Sequence, residues 1–296
     1  MNKSIFLTGS SGFVGSNIYN YLSDYNFKFF KRGEIIKINE HVIVNCAGKA
    51  HDLKNVSCPN DYYQVNTWFA NQIFDAFLNS DSKVFVAISS VKAVADLVEG
   101  ELSEVAIPNP ATHYGKSKLL AEEYILSQQI PQGKKVFILR PCMIHGPGNK
   151  GNLNLLYNVV SKGLPWPLGL FQNSRSYLSI ENLCFTIREL IEREEIPSGV
   201  YNVADDEPLS TNEVIKMIAE SNGKKVYILN FSINFIKILA RVGDFLKLPL
   251  NSERLQKLTE SYVVSNNKIK VALGKPFPVS SREGLIRTFQ SFSQNV

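Results

Sequence analysis

The chain is poor in cysteine and histidine, with Cys46, Cys58, Cys142 and Cys184 and only four His in 296 residues. No two cysteines stand in a C-x-x-C spacing. That argues against a thiolate metal site, and no metal is expected; the four read as buried free thiols of a reducing, cytoplasmic setting. No apolar run approaches the roughly 20 residues that a membrane span requires, so no stable membrane insertion is expected. The start, MNKSIFLTGSSG, meets a glycine turn too soon for a signal peptide and reads better as a first strand. Charge of one sign is also scarce: 32 Lys and Arg face 27 Asp and Glu, without a long block. Nucleic-acid binding is not favoured, whereas anionic small molecules such as nucleotides suit a mildly basic chain. There is no internal repeat and no low-complexity segment.

The chain does have short apolar runs that alternate with helical patterns. Strands are expected at 4–8, 27–30, 41–48, 83–90 and 134–141, with helices at about 13–23 and 60–79 and another opening at THYGKSKLLAEEY (112–124). Near-continuous Val, Ile and Phe runs of this kind belong to a parallel sheet covered on both faces, hence an α/β fold. Beyond residue 146 the pattern loosens into GPGNKGN and GLPWPLG, loops suited to lining a site. Strands follow at 177–180 and 199–205, with a helix at 181–193 between them. Ser210 and Glu213 form a capping box that opens a helix ending near Gly223. The amphipathic stretch INFIKILARVGDFLKL, about 232–247, is read as packing on the core in preference to touching a membrane.

Gly9-Ser10-Ser11-Gly12-Phe13-Val14-Gly15 joins the first strand to the first helix. Gly9 permits the turn, Gly12 lets backbone approach a pyrophosphate, and Gly15 lets helix and strand pack closely. The first helix then offers its unpaired N–H groups to the anion. Dinucleotide binding follows from that placement. An acid at the end of the second strand would favour NAD. The chain instead has Lys31 and Arg32, which could hold a 2′-phosphate, so NADP(H) is favoured over NAD(H).

Tyr114 and Lys118 stand four apart, hence on one face of a helix. A neighbouring ammonium favours the phenolate, which makes Tyr114 usable as a general acid or base on a carbinol or ketone oxygen. Gly115 costs this helix roughly 1 kcal/mol relative to Ala, which a position of close packing would explain.

Taken in order, TGSSGFVG (8–15), CAGKAH (46–51), Asn66, ISS (88–90), YGKSK (114–118), RPCMIHGPG (140–148) and RSYLSIENL (175–183) resemble the extended short-chain dehydrogenase/reductases. The likeness runs over nearly the whole chain. It implies a Rossmann-type doubly wound parallel sheet formed by 1–150 and 176–204. A smaller mixed α/β nucleotide-sugar domain would comprise 151–175 and 205–296. It also implies the catalytic set Ser90, Tyr114 and Lys118, with Ser89 as the alternative hydroxyl. Cofactor contacts would come from Gly9, Ser11, Gly12, Phe13, Val14, Gly15, Lys31, Arg32, Ala47, Gly48, Asn66, Ser89, Tyr114, Lys118 and Pro141. Substrate contacts would come from Lys49, Asn152, Leu153, Arg175 and Arg254, the arginines holding the diphosphate. His113 and His145 are read as positional.

Within the family, GPGNKGN with PWPLG looks most like bacterial 4-keto-reductases of the UDP-N-acetylquinovosamine dehydrogenase type, which serve surface polysaccharide synthesis. The expected reaction is reduction of the C4 ketone of a nucleotide-linked 4-keto-6-deoxyhexose, with a UDP-hexose 4-epimerase holding NAD as the alternative. A 4,6-dehydratase is disfavoured because Val91-Lys92 stand where that group carries Asp-Glu. A non-catalytic dinucleotide sensor would lack the Tyr–Lys pair. A homodimer is expected through the helix of the pair and the helix before it, where Trp68, Phe69, Phe74 and Phe77 could serve the interface or the core. One departure stands out. Only about eight residues separate Arg32 from His41, too few for the family's helix and third parallel strand. IIKI (35–38) is either a remnant edge strand or no strand, and the adenine end must be built differently.

Overall fold

The computed structural model describes residues 4–49, 58–149, 151–247 and 251–293, without the side chain of Asn152. Ala50 and His51 of CAGKAH, and Lys150, lie outside them.

Chain order begins with β1 (Ser4–Thr8), α1 (Phe13–Tyr21), β2 (Asn26–Phe29) and β3 (Val42–Asn45). Then come α2 (Pro59–Tyr63), a π-helical segment (Gln64–Phe69), α3 (Ala70–Leu78), β4 (Val84–Ile88), a 3₁₀ turn (Val91–Ala93) and β5 (Glu101–Leu102). Next are α4 (His113–Ser127), β6 (Lys135–Pro141), β7 (Met143–His145), α5 (Asn152–Ser161), β8 (Tyr177–Ser179), α6 (Ile180–Glu192) and β9 (Gly199–Val203). The chain closes with α7 (Thr211–Ser221), α8 (Ile233–Leu246), α9 (Ser252–Thr259), β10 (Val263–Val264), α10 (Asn267–Leu273) and α11 (Ser281–Ser293).

Six strands form one parallel sheet in the order β2-β1-β3-β4-β6-β9. Strand period two sends neighbouring residues to opposite faces. Ile5 and Leu7 join α1 and α6 in one apolar cluster, while Phe6 between them joins α3 and α4 in another. This double burial explains the unbroken apolar runs. The order reverses between β1 and β3, which opens a crevice at their C-terminal ends.

Residues 35–38 form no strand, so β2 is the sheet edge. The chain crosses from β2 to β3 without a helix, and Ile36 and Ile38 pack as padding on the α3 face. Lys28 Nζ donates to the Lys37 carbonyl at 2.8 Å and holds this crossover to the edge.

A third cluster joins α5, α7, α8, α9 and α11, with Trp166 and Leu168. Residues 262–273, grouped by sequence with this unit, instead place Tyr262, Val264, Ile269 and Leu273 in the α1–α6 cluster. The capping box forms as expected, with Ser210 N donating to Glu213 Oε2 at 2.7 Å. Phe74 and Phe77 are core residues, Phe69 packs beside them, and Trp68 faces outward. The thiols divide: Cys142 and Cys184 are buried, Cys46 partly so, and Cys58 is exposed at the N-cap of α2, contrary to the expectation of four buried thiols. Among the described residues no helix is long and apolar enough to cross a membrane.

One ion pair is sealed between α4 and β6. Arg140 donates to Glu122 from Nε at 2.9 Å and from a terminal nitrogen at 2.5 Å, with both side chains almost fully buried. Removing one partner leaves a buried, uncompensated charge, whereas removing both leaves none. Arg140→Leu is therefore expected to cost about 3–5 kcal/mol in urea unfolding, and Glu122→Leu/Arg140→Leu distinctly less.

Candidate active site

The site is built on the N-terminal half of α4. Thr112 caps this helix, its hydroxyl accepting from Gly115 N at 3.1 Å. Asp96 holds the cap, accepting from Ala111 N at 2.6 Å and Thr112 N at 3.2 Å. Asp96 follows the turn that leaves β4, so the helix start is tied to the strand end. Gly115 makes the approach possible: a Cβ there would lie 2.3 Å from the Lys92 carbonyl oxygen and 2.8 Å from Pro110 Cβ.

This docking brings three strand-end groups under one helical stripe. Tyr114 lies beside Ser90, close enough for the Ser90 hydroxyl to favour its phenolate. Lys118 Nζ donates to the Ile88 carbonyl at 2.9 Å. Glu122 accepts from the Ser89 hydroxyl. Ser90, not Ser89, is thus the hydroxyl beside the tyrosine. Ser90 Oγ also accepts from Lys92 N at 3.2 Å, which orients it as the cap of the 3₁₀ turn. The Tyr62 ring meets Tyr114 edge-on, with centroids 6.2 Å apart.

Burial governs the protonation of the pair. Desolvation raises the Tyr114 phenol above its ordinary value, and the neighbouring Ser90 hydroxyl partly offsets this. Desolvation lowers Lys118 from 10.5 to about 8, against the pull of Cys46 and Glu122. The causes acting on the phenol are burial, Ser90 and Tyr62, while the Lys118 ammonium is directed at the Ile88 carbonyl.

The π-helical segment supplies a second brace. Asn66 Oδ1 accepts from Lys49 N at 2.8 Å, and its Nδ2 donates to Lys49 O at 3.1 Å and Ser117 Oγ at 3.0 Å. One side chain thus fastens the loop after β3 to α4. A Cβ on Gly48 would come within 3.1 Å of Lys118 Nζ. π-bulges of this kind concentrate at functional sites. Ala47 N donates to Thr8 Oγ1 at 3.1 Å, joining the same loop to the end of β1.

The glycine turn fits a dinucleotide. Gly9 has φ +67°, and a Cβ there would meet Cys46 backbone at 2.7 Å. A Cβ on Gly15 would meet the Gly9 oxygen at 2.3 Å. Gly12 caps α1 without a side-chain hydrogen bond, which leaves the N–H groups of the first turn, beside Ser11, Phe13 and Val14, suited to an anion.

The other expected residues scatter around this centre. Pro141 ends β6, and Lys31 and Arg32 are exposed just past β2. Lys49 pairs with Asp61 at 2.6 Å. The Arg175 guanidinium is held by the Lys257 carbonyl and by Glu260 at 3.4 Å. Arg254 is exposed on α9, its backbone N–H capped by Asn251 at 2.9 Å. Leu153 buries its side chain in the third cluster. His145 is fully buried between Thr288, at 2.9 Å, and Asp205, at 3.5 Å. Lys92, in the place of a dehydratase acid, lies 4.2 Å over the Tyr262 ring.

Residues 5–204 match the model of the NAD dependent epimerase/dehydratase family. The chain belongs to that family. Two relatives align over almost all of both chains. A UDP-glucose 4-epimerase of Vibrio cholerae is 33% identical, covering 99% of this chain and 97% of the relative. An N-acetyl-alpha-D-glucosaminyl-diphospho-ditrans,octacis-undecaprenol 4-epimerase of Escherichia coli O157:H7 is 26% identical, covering 98% and 95%. Among solved structures, MoeE5 in complex with UDP-glucuronic acid and NAD superposes with a TM-score of 0.75 at 19% identity, covering 99% of this chain and all of that one. The family's enzymes are nucleotide-sugar oxidoreductases, reductases and epimerases.

Three residues of this family site escaped the sequence reading: Asp96, Tyr62 and Glu122. Only Glu122 left a signal, an acid one turn after Lys118 on the face that Tyr114 already defines.

Lys118 links the site to stability. Between pH 8 and 10.5 the unfolded chain holds a proton that folded Lys118 has shed, so stability rises with pH across that window. Lys118→Met is expected to be more stable than wild type at pH 7, by up to about 3 kcal/mol, and to lose that rise; urea unfolding at pH 7 and pH 10 measures both.

Proposed function

We propose that the chain is a C4 oxidoreductase of nucleotide-linked hexoses, working as a 4-epimerase on a UDP-hexose with NAD. The observation that carries the chemistry is the Tyr114–Ser90 hydroxyl pair at the end of β4, with Lys118 one turn below. The nicotinamide cofactor supplies the hydride acceptor and donor at C4. Gly9, Gly12 and Gly15 with the start of α1 would hold its diphosphate, and Asn66, Lys118 and the loop 47–49 would line its ribose side.

Tyr114 takes the proton from the C4 hydroxyl and returns it after the 4-ketosugar has turned over. Ser90 holds the same oxygen, so its proton and the phenol lie on one side of C4. Burial raises the phenol, so Tyr114 is protonated at rest and must first release that proton to solvent before it takes one from the C4 hydroxyl; in the return step it is the acid that protonates the ketone oxygen. Arg175 and Arg254 are assigned to the diphosphate of the sugar nucleotide, where a planar guanidinium suits paired oxygens. The third apolar cluster with its loops is assigned as the sugar-binding unit. Trp68 and Leu120, both exposed on neighbouring helical segments, suit a homodimer.

Epimerisation is preferred over net reduction because two 4-epimerases align over nearly the full chain. One observation favours the reductase with NADPH: Lys31 and Arg32 are exposed beyond β2, where a 2′-phosphate would lie. An epimerase must retain its cofactor, whereas a reductase must exchange it. Extraction of the purified protein is expected to yield about one NAD per chain; cofactor-free protein that turns over only with added NADPH would instead support the reductase. Tyr114→Phe is expected to retain NAD and lose about 10²–10⁴-fold in turnover with a UDP-hexose.

A further inference from the structure

We propose that the outer face of α8 docks on the surface of an anionic lipid bilayer. The helix buries only Ile236, Ala240 and Gly243, a narrow seam against the third cluster and α9. Beside that seam, roughly a third of its circumference carries Phe235, Ile238, Leu239, Val242, Phe245 and Leu246 outward. Ile238 is 58% exposed and Phe245 88%. The patch continues through Phe231, whose ring lies 5.9 Å from Phe235. The expectation of a helix that packs its apolar side on the core is thus met only by the seam.

Charge identifies the occupant. Residues 224–247 contain Lys224, Lys225, Lys237, Arg241 and Lys247 against a single acid, Asp244. That exposed carboxylate, in the sector of Lys237 and outside the apolar arc, accepts from Ser252 N at 2.9 Å and Ser252 Oγ at 2.5 Å, which ties it to the start of α9. Lys237 and Arg241 occupy the sector next to the apolar arc on the far side from the seam. An apolar arc free of acids and flanked by cations that outnumber the one exposed acid fits an interfacial helix whose side chains enter the acyl boundary while the cations meet anionic headgroups. A second copy fits less well, because two-fold pairing would bring the cations together with Asp244, already held by Ser252, as the helix's one acid. The helix rests on α9, whose last residues reach Arg175, so the docking face adjoins the substrate side.

The test is flotation of the full-length protein with vesicles of phosphatidylcholine, alone or with about a third phosphatidylglycerol. Wild type, Ile238→Asp/Phe245→Asp and Lys237→Glu/Arg241→Glu are compared, with solution mass and circular dichroism recorded for each. Wild type should partition at least about tenfold more onto the anionic vesicles, and each folded variant should lose at least about tenfold of that. Wild type that fails to float with anionic vesicles, or folded variants that float as wild type does, would overturn the proposal. Halving of the solution mass in the Asp variant would assign the face to a second copy and overturn it too.

Discussion

The site depends on one close contact, the seat of Gly115 against the Lys92 carbonyl. No other residue allows α4 to approach the end of β4 so nearly, since a Cβ would overlap backbone oxygen. From that contact the rest follows at four-residue steps. Tyr114 meets Ser90, Lys118 meets the Ile88 carbonyl, and Glu122 meets Ser89 and Arg140. The desolvation that raises the phenol and lowers the ammonium is the direct result of bringing the helix so close. The contact is held from two sides, by Asp96 at the helix cap and by Asn66 and Thr67 on the π segment.

Much of this was legible in the sequence because it is local. The glycine turn is a backbone requirement written in three residues, and the structure shows the clash that each of Gly9 and Gly15 avoids. The central strands were legible because burial on both faces leaves no polar alternation to confuse them, whereas the edge strand β2 is half-exposed. The short spacing from Arg32 to His41 was legible as a deficit, and it resolves into the absence of a strand at 35–38, with Ile36 and Ile38 used as padding.

The rest was hidden because it depends on contacts distant in sequence. Asp96 acts 16 residues away, at Thr112, and carries no pattern of its own. The π segment inserts its irregularity inside an ordinary helical periodicity. The aromatics at 68–77 could not be sorted without the fold, which sends Phe74 and Phe77 to the core and Trp68 outward. The buried side of α4 is half polar, so hydrophobic periodicity understated what it buries. For α8 the same periodicity overstated it, since a wide apolar arc is identical in sequence whether it meets a core or water.

The central claim is that hydride is removed from and restored to C4 of one UDP-hexose, with Tyr114 moving the proton. The most direct measurement is NMR of UDP-hexoses deuterated at C4, in the gluco and 2-acetamido-gluco forms, incubated with the protein and no added reductant. The account predicts formation of the C4 epimer of one of them with deuterium still on C4. Absence of any epimer from both, or an epimer whose C4 deuterium has been lost to solvent, would contradict it.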